Sequence, residues 1–109
     1  MRIVLAPVLA LVLGCAALEG HRRFEAGNAA LDRGDVGRAV AELERAAALV
    51  PEASEVQNHL GIAYAAAGHD AAALAAFERA VALDCDNRAA AENLRAARRR
   101  SAVEAPAAR

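Results

Sequence analysis

The sequence predicts an all-α protein built from two helical hairpins and a C-terminal capping helix. Alanine supplies 33 of the 109 residues, and alanine is the best helix former although it fills a core poorly. The chain also resembles itself when it is shifted by 34 residues, and apolar residues recur within each unit at helical spacing. With two Phe, one Tyr and no Trp, the helices are expected to approach closely through small residues.

Residues 1–14 are predicted to form a signal peptide. Arg2 precedes an apolar run, and the core of that run, from Ile3 to Leu13, has the length of a signal-peptide hydrophobic region. A membrane span would need about 20 apolar residues. Pro7 lies inside this run, where it is expected to disfavour a soluble helix. Residues 15–19 are then expected to act as a linker to the folded part.

The residues Val12-Leu13-Gly14-Cys15 resemble the lipobox of bacterial lipoproteins. The resemblance implies that the thiol of Cys15 carries a diacylglycerol, that cleavage makes Cys15 the new N-terminus, and that this lipid anchors an exported protein to the bacterial cell envelope. Ala16, which is not Asp, favours the outer membrane, facing the periplasm. A signal peptide that is only cleaved, or one that is retained as an anchor, is the alternative.

Residues 20–53 align with residues 54–87 without a gap, and ten positions are identical. Five of the ten are alanine pairs, which carry little weight in so alanine-rich a chain. The informative identities are Gly27 with Gly61, Gly34 with Gly68, Glu44-Arg45 with Glu78-Arg79, and Leu49 with Leu83. We therefore expect two copies of one structural unit.

Each unit is predicted to be a helical hairpin. In the second unit, one helical face is formed by Leu60, Ala63, Tyr64 and Ala67. Gly68 can end that helix in the left-handed conformation, and Asp70 is expected to cap the next one. The apolar face of the next helix is formed by Ala73, Leu74, Phe77, Ala80 and Val81.

Residues 88–100 are predicted to form a capping helix that covers the second hairpin. Leu94 is in phase with Leu60, whereas Arg95 takes the place of the glycine that follows Leu60. No second helix follows, so no close approach of backbones is required there. A polar outer face is what a terminal unit of a helical repeat needs. Residues 101–109 are expected to form a flexible tail.

The second unit resembles a tetratricopeptide repeat. The residues that carry the resemblance are Leu60, Gly61, Tyr64, Gly68, Ala73, Phe77 and Ala80. Gln57 stands where Trp is usual, and Cys85 where Pro is usual. The first unit is a degenerate copy that keeps Gly27, Gly34, Ala39, Ala46 and Pro51 but has Ala26, Ala30 and Leu43 for the family's Leu, Tyr and Phe. The resemblance covers residues 20–87 and implies a short right-handed α-solenoid.

The resemblance further implies a concave groove, lined by the first helix of each unit, that binds another protein or a peptide. The positions that it places in the groove are Phe24, Asn28, Glu55, Asn58, His59, Ile62, Glu92 and Asn93. Asparagine amides can bind an extended backbone as both donor and acceptor. Alternatively, these side chains are solvated, or they bond to one another within the fold.

The sequence offers no catalytic or cofactor site. It has no recognisable Ser-His-Asp or Cys-His arrangement, no glycine-rich phosphate loop and no C-x-x-C pair, so we expect no enzyme, cofactor or metal. The net charge is −1, and the arginine-rich C-terminal end lacks aromatic residues for base stacking, so nucleic acid is not an expected partner.

The sequence thus favours an envelope-anchored adaptor. An accessory lipoprotein of a secretion, pilus or outer-membrane assembly system is the nearest alternative. A structural anchor that only self-associates is another, because two hairpins with a cap are close to the minimum for a stable stack and a second copy would extend it.

Overall fold

A computed structural model describes residues 5–105, and within that range the chain is helical without strands. The helices are α1 (Leu5–Asp32), α2 (Val36–Leu49), α3 (Ser54–Ala66), α4 (Asp70–Leu83) and α5 (Arg88–Glu104). The all-α prediction is confirmed. Residues 1–4 of the predicted signal peptide and residues 106–109 of the predicted tail lie outside the described residues.

The helices stack in chain order. The second half of α1 pairs with α2, and α3 pairs with α4, to give hairpin one and hairpin two. α2 then packs on α3, and α5 packs on α4 and also contacts α3. Because α1 contacts α3 and α3 contacts α5, the first helices of successive layers lie side by side along one face of the stack.

Both hairpins turn through a glycine in the left-handed conformation, as predicted. Gly34 has φ 75° and Gly68 has φ 78°. In hairpin one, the N–H of Asp35 donates to the carbonyl of Ala30 at 2.9 Å, and the N–H of Gly34 donates to Leu31 at 3.0 Å. This pair of bonds is a Schellman motif, and the same pair recurs 34 residues later around Gly68.

The start of α4 differs from the prediction. Asp35 caps α2, since its carboxylate accepts from the N–H of Arg38 at 3.3 Å. The equivalent position before α4 is His69, whose side chain makes no capping bond, and Asp70 is the first residue of the helix. The prediction that Asp70 is the N-cap is therefore wrong by one residue. Asp70 instead lies 3.9 Å from the guanidinium of Arg100 on α5.

Both ends of the folded part are more helical than predicted. Residues 15–19 form a continuous part of α1 rather than a linker, and Arg23 bonds to Glu19 one turn earlier at 2.8 Å. Pro7 is tolerated because it lies in the first turn of α1, where an N–H has no intrahelical acceptor. At the other end, α5 continues past residue 100 to Glu104.

Two glycines set the distance between paired helices. A Cβ atom on Gly61 would lie 2.5 Å from Cε1 of Phe77, and a Cβ on Gly27 would lie 2.5 Å from Cγ of Leu43. Real side chains do not approach so closely, so each large side chain occupies space that only glycine leaves. Tyr64 packs against the buried clusters of both hairpins.

The first half of α1 extends beyond hairpin one as an exposed apolar helix. Its exposed large apolar side chains are Val8, Leu9, Leu11, Val12, Leu13 and Leu18. Of the helices in residues 5–105, none combines the length and the apolar character that a membrane span requires.

Candidate protein-binding groove

A groove of about 360 Å³ opens between α1 and α3. Five of its lining residues repeat at helical spacing on one face of α1, two come from the α2–α3 connection, and two come from the first turn of α3. The lining residues are Ala17, Gly20, His21, Phe24, Glu25, Val50, Ala53, Glu55 and Val56. Gly20 lets α1 approach the end of α2, because a Cβ there would lie 3.0 Å from Cγ1 of Val50.

Phe24 and His59 join the two walls above this groove. Their rings meet edge to face with centroids 5.0 Å apart. Nδ1 of His59 lies 2.7 Å from Oδ1 of Asn28, and since an amide oxygen only accepts, Nδ1 carries the proton in this contact. These two contacts hold the side chains of Asn28 and His59 against each other, so α3 is tied to α1.

An equivalent polar contact joins α3 to α5. Nδ2 of Asn93 donates to Oδ1 of Asn58 at 2.9 Å. Asn58 is 4% exposed. The sequence analysis placed Asn58 on the groove surface, but the neighbouring first helix covers it and occupies its amide oxygen. The contact therefore serves the stacking of layers.

The other two predicted groove residues lie elsewhere on the first helices. Ile62 is half-buried and packs against the apolar cluster between α4 and α5. Glu92 is exposed and lines a separate depression with Cys85, Asp86, Arg88 and others on the terminal face. Of the eight positions, only Phe24 and Glu55 line the groove described here.

The groove also contains residues that the sequence analysis missed. Ala17, Gly20 and His21 precede Phe24 by seven, four and three residues, so helical phase alone could have found them. They were missed because the predicted positions began at Phe24 and residues 15–19 were taken to be a linker. Val50 and Ala53 come from the inter-hairpin connection, for which the sequence carries no comparable signal.

The site has no features of metal or thiol chemistry. Across residues 5–105, no group of His, Cys, Asp and Glu side chains is arranged to hold a metal ion. Cys15 and Cys85 are both exposed free thiols. Cys15 lies on α1 two residues before Ala17, so the predicted lipid attachment point is next to the rim of the groove.

Comparison with known proteins gives two findings. Residues 54–87 match the tetratricopeptide repeat family, whose repeats generally bind other proteins or peptides and do not catalyse reactions. The predicted boundaries of the second repeat coincide with this match. Together with the helical layers, the match makes the fold an all-α tetratricopeptide-type repeat.

The chain is also similar to cellulose synthase operon protein C of Escherichia coli strain K12 and to the putative cellulose synthase operon protein C of Escherichia coli O157:H7. Each is 45% identical over 58 residues, which is 53% of this chain and 5% of the relative. The chain thus corresponds to a small part of either relative.

Proposed function

We propose that the protein is an envelope-anchored adaptor that binds another protein through the groove between α1 and α3, and that it catalyses no reaction. The match of residues 54–87 to a family of protein-binding repeats carries this proposal. The groove supports it, because it opens between two first helices and has a mainly apolar surface of Phe24, Val50 and Val56.

The anchoring half of the proposal rests on the first half of α1. Its exposed apolar side chains point to several sides of the helix, which is the pattern of a helix surrounded by lipid or by an export channel. Five of the six exposed large apolar residues that the structure shows in α1 precede Cys15. Cleavage before Cys15 would remove these five and leave Leu18.

Lipid on Cys15 would then replace the removed apolar helix as the attachment to the membrane. One acyl chain holds a protein marginally, whereas two or three hold it stably. Ala16 after the cysteine supports an outer-membrane location facing the periplasm. Because the similarity to cellulose synthase operon protein C covers 5% of that protein, it supports the repeat fold and leaves the partner open.

The anchoring is tested with Cys15→Ala in a bacterial host. Wild-type protein is expected in the membrane fraction, with the added mass of lipid on a chain that begins at Cys15. The variant is expected to lack that lipid mass. A wild-type protein without lipid mass would contradict the lipid anchor.

The adaptor role is tested with a photo-crosslinking amino acid at His21, inside the groove, and at Ala75, an exposed position on α4. A different envelope protein crosslinked from position 21 and absent from position 75 is the expected result. Crosslinks to a second copy alone would instead identify a structural anchor that self-associates. No position-dependent crosslink would contradict both.

A further inference from the structure

Resting on the adaptor function proposed above, we infer that the groove between α1 and α3 takes an extended partner segment in which an arginine or lysine lies next to an apolar side chain. The chemistry of the lining leads to this partner class. Its volume of about 360 Å³ is at the lower end of the range of ligand clefts, so it accommodates a short segment rather than a folded domain.

The floor of the groove selects an apolar side chain. Phe24 and Val50 are half-buried, and Val56 is 5% exposed. Ala17, Gly20 and Ala53 add little bulk, so they leave room above the floor. An apolar side chain that enters here removes its own surface and that of Phe24 and Val50 from water, which is favourable in proportion to the area covered.

The walls of the groove select a cation. Glu25 on α1 and Glu55 on α3 both line it and are exposed. With the other described residues, neither carboxylate forms an ion pair. The lining contains no arginine, and every basic side chain of the protein other than histidine is an arginine. The groove therefore combines an apolar floor with uncompensated negative charge.

The nearest arginine on α1 is directed elsewhere. The guanidinium of Arg23 donates to Glu42 at 3.1 Å and to Glu19 at 2.8 Å, on the side of α1 that faces α2. Its charge is therefore shared between those carboxylates. A partner segment must supply its own cation if Glu25 and Glu55 are to be paired.

The test uses the full chain in dodecyl maltoside and three fluorescent peptides. Gly-Arg-Leu-Arg-Phe-Gly carries both proposed features, Gly-Glu-Leu-Glu-Phe-Gly reverses the charge, and Gly-Arg-Ser-Arg-Ser-Gly removes the apolar side chains. We expect fluorescence polarisation to rank the first peptide as the tightest, and high salt to weaken it. Exposed ion pairs contribute modestly, so the double variant Glu25→Gln/Glu55→Gln is expected to weaken binding by about tenfold.

Two matched controls locate the binding. Ala17→Trp fills the groove from an exposed position and is expected to abolish binding, whereas Ala29→Trp makes the same change elsewhere on α1 and is expected to leave it intact. Glu92→Gln removes an exposed carboxylate outside the groove and is expected to have no effect. Binding that Ala17→Trp does not alter would overturn the inference.

The outcomes separate this inference from the adaptor function. If the acidic peptide binds as tightly as the basic one and Ala17→Trp still abolishes it, the groove is a docking site and the proposed partner class is wrong. If no peptide binds in a way that depends on the groove, the inference is wrong, and the crosslinking result at His21 decides the adaptor function independently.

Discussion

The two hairpins have the same backbone arrangement but different side chains at equivalent positions. In hairpin one Gly27 makes room for Leu43, and in hairpin two Gly61 makes room for Phe77. Both members of each pair recur after 34 residues. The comparison shows that close packing here requires a missing Cβ opposite a large side chain, whereas the identity of that large side chain can change.

A second difference concerns buried polar groups. In hairpin one Glu42 is buried and pairs with Arg23 at 3.1 Å. The equivalent positions in hairpin two are Ala76 and Gln57. Ala76 offers no polar group, and the Oε1 atom of Gln57 is buried without a hydrogen-bond partner among the described residues. The hairpin that matches the family better therefore contains the less satisfied buried polar side chain.

The strongest test of the first difference is Gly61→Leu. Its side chain would have to displace the Phe77 ring, because a Cβ alone would lie within 2.9 Å of three ring atoms. Overpacking of this kind costs up to about 3 kcal/mol. For a domain of this size, we expect the midpoint of thermal unfolding to fall by roughly 12–24 °C. Gly27→Leu should behave similarly because Leu43 is fully buried.

Gly37→Leu is the matched control, since a Cβ at that helical position has no neighbour within 4 Å. We expect its midpoint to be unchanged or slightly higher. The double variant Gly61→Leu/Phe77→Ala should recover part of the loss, because it removes the ring that the new side chain meets. If the effects of the two substitutions simply add, the two residues do not share space and the proposed origin of the glycine is incorrect.

The second difference predicts that one substitution has opposite effects in the two hairpins. Arg23→Leu leaves the buried carboxylate of Glu42 without its closest cation and should lower the free energy of unfolding by about 2 kcal/mol. Gln57→Leu removes an unpartnered buried acceptor and should raise it by about 1 kcal/mol. Urea denaturation of the two variants measures both changes.

Arg38→Leu is the control for charge alone. Its side chain is 62% exposed and its guanidinium lies 3.9 Å from Glu42, so the expected change is below about 0.5 kcal/mol. A loss of stability in Gln57→Leu as large as that in Arg23→Leu would mean that Gln57 is satisfied, and the contrast between the hairpins would then disappear.

Local sequence signals predicted the layers of the fold well. The left-handed turns at Gly34 and Gly68 followed from residue type and position, and the seam at Gly61 followed from the repeat. Positions 15–19 were less predictable, because a change of function at Cys15 does not require a change of helix. The backbone continues wherever residues such as Ala16 and Ala17 favour helix.

The candidate site was less predictable because its contacts depend on how far neighbouring helices are offset. Whether Asn58 faces solvent or Asn93 is decided by that offset, which no spacing within one helix reports. The same holds for Asn28 and His59. Glu25 and Glu55 lie on different helices, so their shared groove became visible only in the folded chain.

Tyr64 provides the smallest expected effect and tests the seam between the hairpins. Its equivalent in hairpin one is Ala30, so only hairpin two can make this contact. The hydroxyl of Tyr64 donates to Oε1 of Glu44 on α2 at 2.8 Å. Burial, and then the hydrogen bond to Glu44 and its charge, raise the pKa of Tyr64 above its ordinary value of 10.0.

The sign of the resulting pH dependence follows from proton binding. Between pH 10.0 and the raised pKa, the folded protein keeps the Tyr64 proton that the unfolded chain has lost, so stability falls as the pH rises through that window. Because Tyr64 is the only tyrosine, tyrosinate absorbance reports its titration directly. Its midpoint should lie above 10.0 in the folded protein and return to about 10 in urea.

Glu44→Ala separates the causes of this shift. The midpoint should fall relative to wild type but stay above its value in urea, since burial is the largest cause and remains. Glu78→Ala removes the equivalent carboxylate of hairpin two and should leave the midpoint unchanged. An unshifted titration in Glu44→Ala would show that the Tyr64 hydroxyl is not bound across the seam, and that the hairpins are joined there by apolar packing alone.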